Sequence, residues 1–312
     1  MKRDTTLDYL RGFAILSIVI GHLYFFSDRA KGSVVWNICN SIQIPIFIYV
    51  SGLLASKSIL KYSFTEFLKN RVLRLIVPFV SIFIFWLLIH GITNENIITF
   101  VTDEFKQGFW FLFVLFELML ILAINQFFSQ KFGIHRVIFD FSVFLVINAY
   151  HFLAKDFDCI NRVLCLNLLW HYYPIFLIGI YSKKLNCLFT IKFSFLYFFI
   201  YTIAFYLMFI KNIHMIIAVC NLSSLLFFVT IFSNGYKIAE PAFTKTGQFS
   251  LEIYLLHILA FGIIGHYIPV IENRWVEAIF FFLLACLICY IFIEVSSLLK
   301  KSKTINRLMF GG

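Results

Sequence analysis

Leu7-Asp8-Tyr9-Leu10-Arg11-Gly12-Phe13-Ala14-Ile15-Leu16-Ser17-Ile18-Val19-Ile20-Gly21-His22, near the N-terminus, is the stretch whose reading decides the fold. After Arg11 every residue up to His22 is apolar or small, and the apolar run resumes through Phe26. That is the length and character of a helix crossing a bilayer. Eleven helical steps of about 100° place Arg11 and His22 on one face, about 16 Å apart along the axis. A cation at the membrane surface therefore lies below an imidazole near mid-membrane. Ionisable groups in hydrocarbon are costly, and a segment that served only as an anchor would have no use for either, so the pair marks a functional site.

The rest of the chain repeats the character of this segment. Of 312 residues 61% are hydrophobic and 13% charged, and the mean hydropathy is +0.90, which excludes a soluble domain. Ten apolar segments can be cut, roughly 10–28, 41–60, 72–92, 109–128, 136–154, 163–182, 188–210, 213–235, 249–268 and 276–299. The seventh and eighth are parted only by Lys211 and Asn212. The expected fold is all-α and polytopic, one membrane-embedded domain over residues 1–312 with about ten transmembrane helices. With the N-terminus inside, 19 of the 26 Lys and Arg fall on the inner side and 7 on the outer, as the positive-inside rule requires. Both termini are then cytoplasmic. The net charge of +10 reports topology and contact with anionic lipid rather than nucleic acid. Although Lys2 and Arg3 precede the first segment, it lacks a small-residue cleavage site and reads as an anchor. The seven cysteines show no metal-type spacing, and only Cys39 and Cys159 fall near outer loops where a disulfide could form.

The longest polar stretches are 29–40, 93–108, 236–248 and the tail from Lys300. One extra-membrane element stands out, at about 64–75 on the cytoplasmic side. Its Phe64, Phe67, Leu68 and Leu75 alternate with Lys69, Arg71 and Arg74, the pattern of a helix lying in the interface, and Pro78 could bend the entry to the next span.

The residues able to carry chemistry are few. His22 suits a general base or an acyl acceptor, although a buried ring bonded across a helix interface would have the same sequence. Arg11, Arg71 and Arg74 could rim a phosphate-binding mouth for a nucleotide-bearing donor, since guanidinium pairs with phosphate in a fork, or they could simply anchor the inner face. His257 in the ninth segment and Glu117 in the fourth come to about the same depth as His22, which suggests one polar site. Glu252, one turn into the ninth segment, could partner the arginines, with Asp8 beside Arg11. Ser51 and Gly52 let a helix or a substrate approach closely. His171 could line the same cavity. Glu294 and Asp140 read as interfacial or interhelical contacts, and His90, His135, His151, His214 and His266 as wet residues near span ends.

Taken in order, these pieces resemble the acyltransferase-3 family of bacterial membrane O-acyltransferases. The matching parts are Leu7-Asp8-Tyr9-Leu10-Arg11-Gly12 with ten residues between Arg11 and His22, and Pro45-Ile46-Phe47 leading to Val50-Ser51-Gly52-Leu53. Further matches are Arg71-Val72-Leu73-Arg74-Leu75 before Pro78, Trp110-Phe111-Leu112, and Tyr254-Leu255-Leu256-His257. The resemblance implies an enzyme of the bacterial inner membrane, multi-pass, that moves an acyl group from cytoplasmic acyl-CoA to a hydroxyl of a surface glycan or its lipid-linked precursor. Acetyl-CoA is the expected donor, and no metal is involved. His22 would be the essential histidine, Arg11 its partner at the donor mouth, and Arg71 and Arg74 the cytoplasmic pair, with Glu117 or His257 orienting the imidazole. Many relatives carry an SGNH-type domain, and no such domain is expected here, so the chain should act as a stand-alone enzyme or hand the group to a partner. Membrane lipids, or a second copy of the chain, are the remaining partners the reading admits. Two other classes stay open. One is a carrier or flippase for a glycolipid, which would release no CoA. The other is a structural subunit, in which His22→Ala would leave acetylation unchanged.

Overall fold

The computed structural model describes residues 4–30, 32–153, 158–264, 267–269 and 271–312, and of residues 158, 214 and 262–264 the backbone alone. Within them every regular element is helical: α1 (Thr5–Phe26), α2 (Val34–Ser58), α3 (Phe64–Arg71), α4 (Val77–His90), α5 (Asn94–Thr102), α6 (Trp110–Phe132), α7 (Arg136–Leu153) and α8 (Asp158–Val163). These are followed by α9 (Leu166–Tyr181), α10 (Ser194–Phe205), α11 (Ile217–Ser233), α12 (Glu240–Gln248), α13 (Ser250–Ile264), α14 (Arg274–Leu299) and α15 (Lys303–Phe310). Among the described residues seven helical stretches are long and apolar enough to cross a membrane: Thr5–Phe26, Val34–Ser58, Phe64–His90, Trp110–Phe132, Arg136–Leu153, Ile191–Ile210 and Arg274–Leu299. The chain is an all-α polytopic membrane protein. The three remaining segments expected to span coincide with α9, α11 and α13, of 16, 17 and 15 residues.

The stretches read as polar loops hold structure the apolar pattern did not announce. α2 starts at Val34, well before residue 41, because the Ser33 hydroxyl accepts from the Trp36 N–H at 3.2 Å and caps the helix. Thr93 does the same for α5, inside the expected loop 93–108, and α12 occupies most of 236–248. The tail forms α15, capped by Ser302 and ending at Gly311 in the left-handed region. At 64–75, α3 starts with a reciprocal capping box between Ser63 and Glu66. It then runs without a break through a π-helical turn, Val72–Ile76, into α4. Pro78 lies within this continuous run, directly after the π turn, the kind of local widening that accompanies a residue with no N–H to donate.

The chain divides into two compact units, Met1–Val50 with Ser182–Leu298, and Ser51–Tyr181 with Leu299–Gly312. In the first, α12 lies against α1 at backbone distance. A Cβ on Gly12 would sit 1.8 Å from the Phe243 carbonyl oxygen, and one on Gly247 1.7 Å from that of Asp8. Such crossings need small residues because any Cβ at the contact would keep the two backbones apart. The Tyr9 hydroxyl pins the start of this pair, 3.2 Å from both the N–H and the carbonyl of Ile238. In the second unit a buried polar network ties three helices together. Asp140 on α7 accepts from Asn125 of α6 at 2.8 Å and from Tyr181 of α9, and it pairs with Arg136 at 3.3 Å. Asp140 is thus an interhelical contact. Gly52 meets α9 in the same fashion as the first unit's glycines, 2.3 Å separating a built Cβ from the Phe176 carbonyl oxygen. All seven cysteines, Cys39 and Cys159 included, are free thiols.

Candidate active site

α1 carries His22 into contact with His257, which α13 presents from 235 residues further along the chain. Nδ1 of His22 lies 2.6 Å from Nε2 of His257, and the two rings lie 13° from parallel with centroids 4.8 Å apart. His257 is fully buried and His22 half-buried. Phe26 stands edge-on to the His22 ring at 6.1 Å and Phe261 edge-on to His257 at 5.7 Å, so the pair has an aromatic, water-poor surround.

The hydrogen bonds determine where the protons are. Nδ1 of His257 is 2.9 Å from the Ile253 carbonyl oxygen. A carbonyl only accepts, so that nitrogen carries the proton, and in a neutral ring Nε2 is then the acceptor. Nδ1 of His22 must donate to it. The Nε2 of His22 is left with its lone pair, and among the described residues nothing hydrogen-bonds to it. The chain Ile253 carbonyl, His257, His22 therefore fixes the tautomer of the first-helix imidazole and leaves its outer nitrogen available. This is the part played elsewhere by a carboxylate behind a catalytic histidine, taken here by a second neutral ring.

Three other expected residues fall in this unit. Arg11 is half-exposed, eleven residues before His22 on the same helix, and its guanidinium lies 3.8 Å from the buried Asp8 carboxylate. Glu252 is buried on α13, five residues before His257. The structure thus brings together His22 and His257 and sets Asp8 beside Arg11.

The second unit holds the other candidates. Arg71 ends α3 with its Nη2 2.5 Å from the Ser58 hydroxyl and its guanidinium 4.7 Å above the Phe67 ring. Its Nε is buried and has no acceptor, a donor left open in a place where buried donors are nearly always used. Arg74 is exposed on the π turn that follows. Glu117 is half-buried on α6 and one of its carboxylate oxygens is buried without a hydrogen bond. His171 is half-buried beside Tyr172, whose ring stacks on Trp110 at 5.6 Å. Ser51 is half-buried, and Gly52 serves the crossing with α9 described above.

Sequence reasoning missed Lys106. It reads as an outer-loop charge, yet it is 3% exposed, and its ammonium donates to the carbonyls of Val101 at 2.6 Å and Arg162 at 2.8 Å. A lysine in a polar stretch gives no signal of this, because its acceptors are backbone groups that any residue supplies. His151, expected to be wet, stacks on Trp170 at 3.9 Å. His266 and the side chain of His214 lie outside the described residues.

Comparison with known proteins places this geometry in context. A family described as an acyltransferase domain (acyltransferase-3) matches residues 4–294. Two relatives are each called nodulation protein NolL. One, from Sinorhizobium fredii, is 32% identical over 90 residues, 27% of this chain and 24% of its own length. The other, from Mesorhizobium japonicum, is 31% identical over 90 residues, 27% of this chain and 23% of its own length. The aligned part is thus about a quarter of either relative. No solved structure matches.

Proposed function

Because the chain belongs to the acyltransferase-3 family, we propose that it transfers an acyl group, acetyl in the simplest case, from acyl-CoA to a hydroxyl of a cell-surface glycan or its lipid-linked precursor. The observation that carries this reading is the unoccupied lone pair on Nε2 of His22, held by the hydrogen bond to His257. Nε2 takes the proton of the acceptor hydroxyl as its oxygen attacks the thioester carbonyl carbon. The carbon–sulfur bond breaks, and the departing CoA thiolate recovers the proton from the imidazolium. The charge that forms transiently on His22 is met by the acceptor nitrogen of His257. In the alternative order Nε2 itself attacks the thioester carbonyl carbon and the carbon–sulfur bond breaks. CoA leaves as the thiolate from an acyl-imidazolium whose Nδ1 proton stays on His22. The hydroxyl then attacks the acyl carbon, the carbon–nitrogen bond breaks to restore the neutral ring, and the hydroxyl proton is the one that neutralises the thiolate.

The donor enters from the cytoplasmic face of the bacterial inner membrane. We assign its phosphates to Arg11; separately, within the second unit, Arg74 and the open Nε of Arg71 have the chemistry that suits a phosphate oxygen. The pantetheine arm has a matching distance to cover, since the rise from Arg11 to His22 is about 16 Å.

Purified protein in lipid nanodiscs should release free CoA from acetyl-CoA when acceptor is present, and His22→Ala should lose that activity by a factor of about 10² to 10⁴. A carrier would release none. A pulse of labelled acetyl-CoA without acceptor separates the two orders: label on His22 establishes the acyl-imidazole, and its absence with intact turnover establishes direct transfer.

A further inference from the structure

Gln43 sits on α2 in the first unit, 6% exposed, and its Oε1 is buried with no hydrogen-bond partner among the described residues. The carbonyl and hydroxyl of nearby Ser41 are both used. Pro45 has no N–H to give the Ser41 carbonyl, and the Ser224 hydroxyl of α11 donates to that carbonyl instead at 2.7 Å. The Ser41 hydroxyl is 2.8 Å from the Tyr201 hydroxyl of α10. Nε2 of Gln43 donates to Oδ1 of Asn40 at 2.9 Å, which fixes the amide and turns its oxygen to the other side. In hydrocarbon no water stands by to satisfy that oxygen, so a buried acceptor kept open in this way points to a ligand that supplies the donor.

The oxygen faces the helix that carries His22. A Cβ built on Gly21 would lie 3.4 Å from Oε1 of Gln43 and 3.5 Å from the Cβ of Cys39, with no third atom of another helix within 4 Å among the described residues. This crossing is loose where that of Gly12, at 1.8 Å, is closed. Gly21 directly precedes His22, so Oε1 lies within about 9 Å of the His22 Cα. It precedes it on the side of Arg11, from which the donor arm arrives in the reading above. The thioester carbonyl carbon of acyl-CoA has to stand at Nε2 of His22. The first group along the donor that can give a hydrogen bond is then the cysteamine amide N–H, beyond the sulfur and two methylenes. The reacting hydroxyl of the acceptor already has its own partner in Nε2.

We propose that Gln43 is a binding residue for the acyl donor: its Oε1 accepts the hydrogen bond of the cysteamine amide N–H of acyl-CoA and so holds the thioester carbonyl beside Nε2 of His22. The inference rests on the acyl-transfer reading and deepens it, by naming the group on the donor that this part of the site reads. That amide lies the same number of atoms from the reacting carbon whatever the acyl chain. The contact therefore sets the position of the thioester without selecting the acyl group. Gly21 belongs to the same arrangement, since without a side chain it leaves the oxygen uncovered.

The test measures binding of two probes to the full chain in neutral-lipid nanodiscs by isothermal titration calorimetry. One is acetonyl-CoA, a ketone with a methylene between carbonyl and sulfur, which cannot transfer its acyl group. The other is the same molecule with the cysteamine amide N–H replaced by an ester oxygen. Wild type should bind the amide probe about tenfold more tightly than the ester probe. Gln43→Met is similar in length and lacks the acceptor, and it should bring the two affinities to within a factor of about two. Gly21→Ala, whose methyl covers the oxygen, should narrow the gap in the same direction. Equal binding of the two probes by the wild type would overturn the assignment. So would a tenfold preference that survives in Gln43→Met, since a residue that only packs changes both affinities together. Should Gln43→Met fail to accumulate, Gly21→Ala takes its place with the same two outcomes. If neither probe bound the wild type, the acyl-CoA reading itself would fail, whereas binding without the preference removes only the role of Gln43.

Discussion

At the scale of single residues, the proposed acyl transfer rests on a proton that the hydrogen-bond network places. His257→Phe keeps the size and apolar surround of the ring and removes the acceptor, so Nδ1 of His22 loses the partner that holds its tautomer. The expected result is a fall in kcat on the order of tenfold to a hundredfold with the Michaelis constant for acyl-CoA unchanged. His257→Gln can still accept through its amide oxygen and should recover part of the loss. If both variants were equally inactive and destabilised, His257 would be a packing residue. Lys106 illustrates a structural charge of the same kind. Lys106→Met strands the carbonyls of Val101 and Arg162, each of which receives a hydrogen bond from the ammonium. Losing charged hydrogen bonds of this sort costs about 1.5–3 kcal/mol each, so the variant should melt earlier in a thermal assay while retaining the donor Michaelis constant.

Among the elements, α1 shows what a sequence can and cannot disclose about a helix. Its glycines Gly12 and Gly21 look alike in the chain, both set among apolar residues. A methyl on Gly12 would meet the Phe243 carbonyl at 1.8 Å, whereas one on Gly21 would find its nearest neighbours at 3.4 and 3.5 Å. Gly12→Ala should therefore collapse the accumulation of folded protein in membranes, and Gly21→Ala should be tolerated, both read by fluorescence-detected size exclusion. At the other end of the chain, Gly311 takes a left-handed backbone (φ 68°) and touches the arginine-bearing turn, a built Cβ lying 2.3 Å from the Leu73 carbonyl oxygen. The spans were legible because apolar runs of membrane length carry their own signal. The short helices α5, α12 and α15 were not, since each mixes polar and apolar residues over only 8 or 9 positions, and the caps of α5 and α15 are the single side chains Thr93 and Ser302.

For the whole molecule, the membrane constrains what the helices can be. α9, α11 and α13 rise only about 23–26 Å, less than the roughly 30 Å of a hydrocarbon core, whereas α14 with 26 residues exceeds it. Sidedness follows from the distribution of cations rather than from helix length. Cysteine introduced at Ser33 should react with an impermeant maleimide in intact cells, and at Ser302 only after the membrane is opened. The reverse pattern would invert the assignment of donor and acceptor faces.

From the sequence alone came the solvent class, the apolar spans, the sidedness expectation, and the suspicion that Arg11, His22 and His257 matter, because hydrophobicity and the cost of charge in lipid act locally on each segment. Only the tertiary structure decided that His257 rather than any other polar group holds His22, and that Glu117 belongs to the second unit. It also decided that Gly12 and Gly52 are crossing points, and that Lys106 is buried. Those outcomes depend on which residues, hundreds of positions apart, come within hydrogen-bonding or van der Waals reach, and periodicity along one helix says nothing about its neighbour.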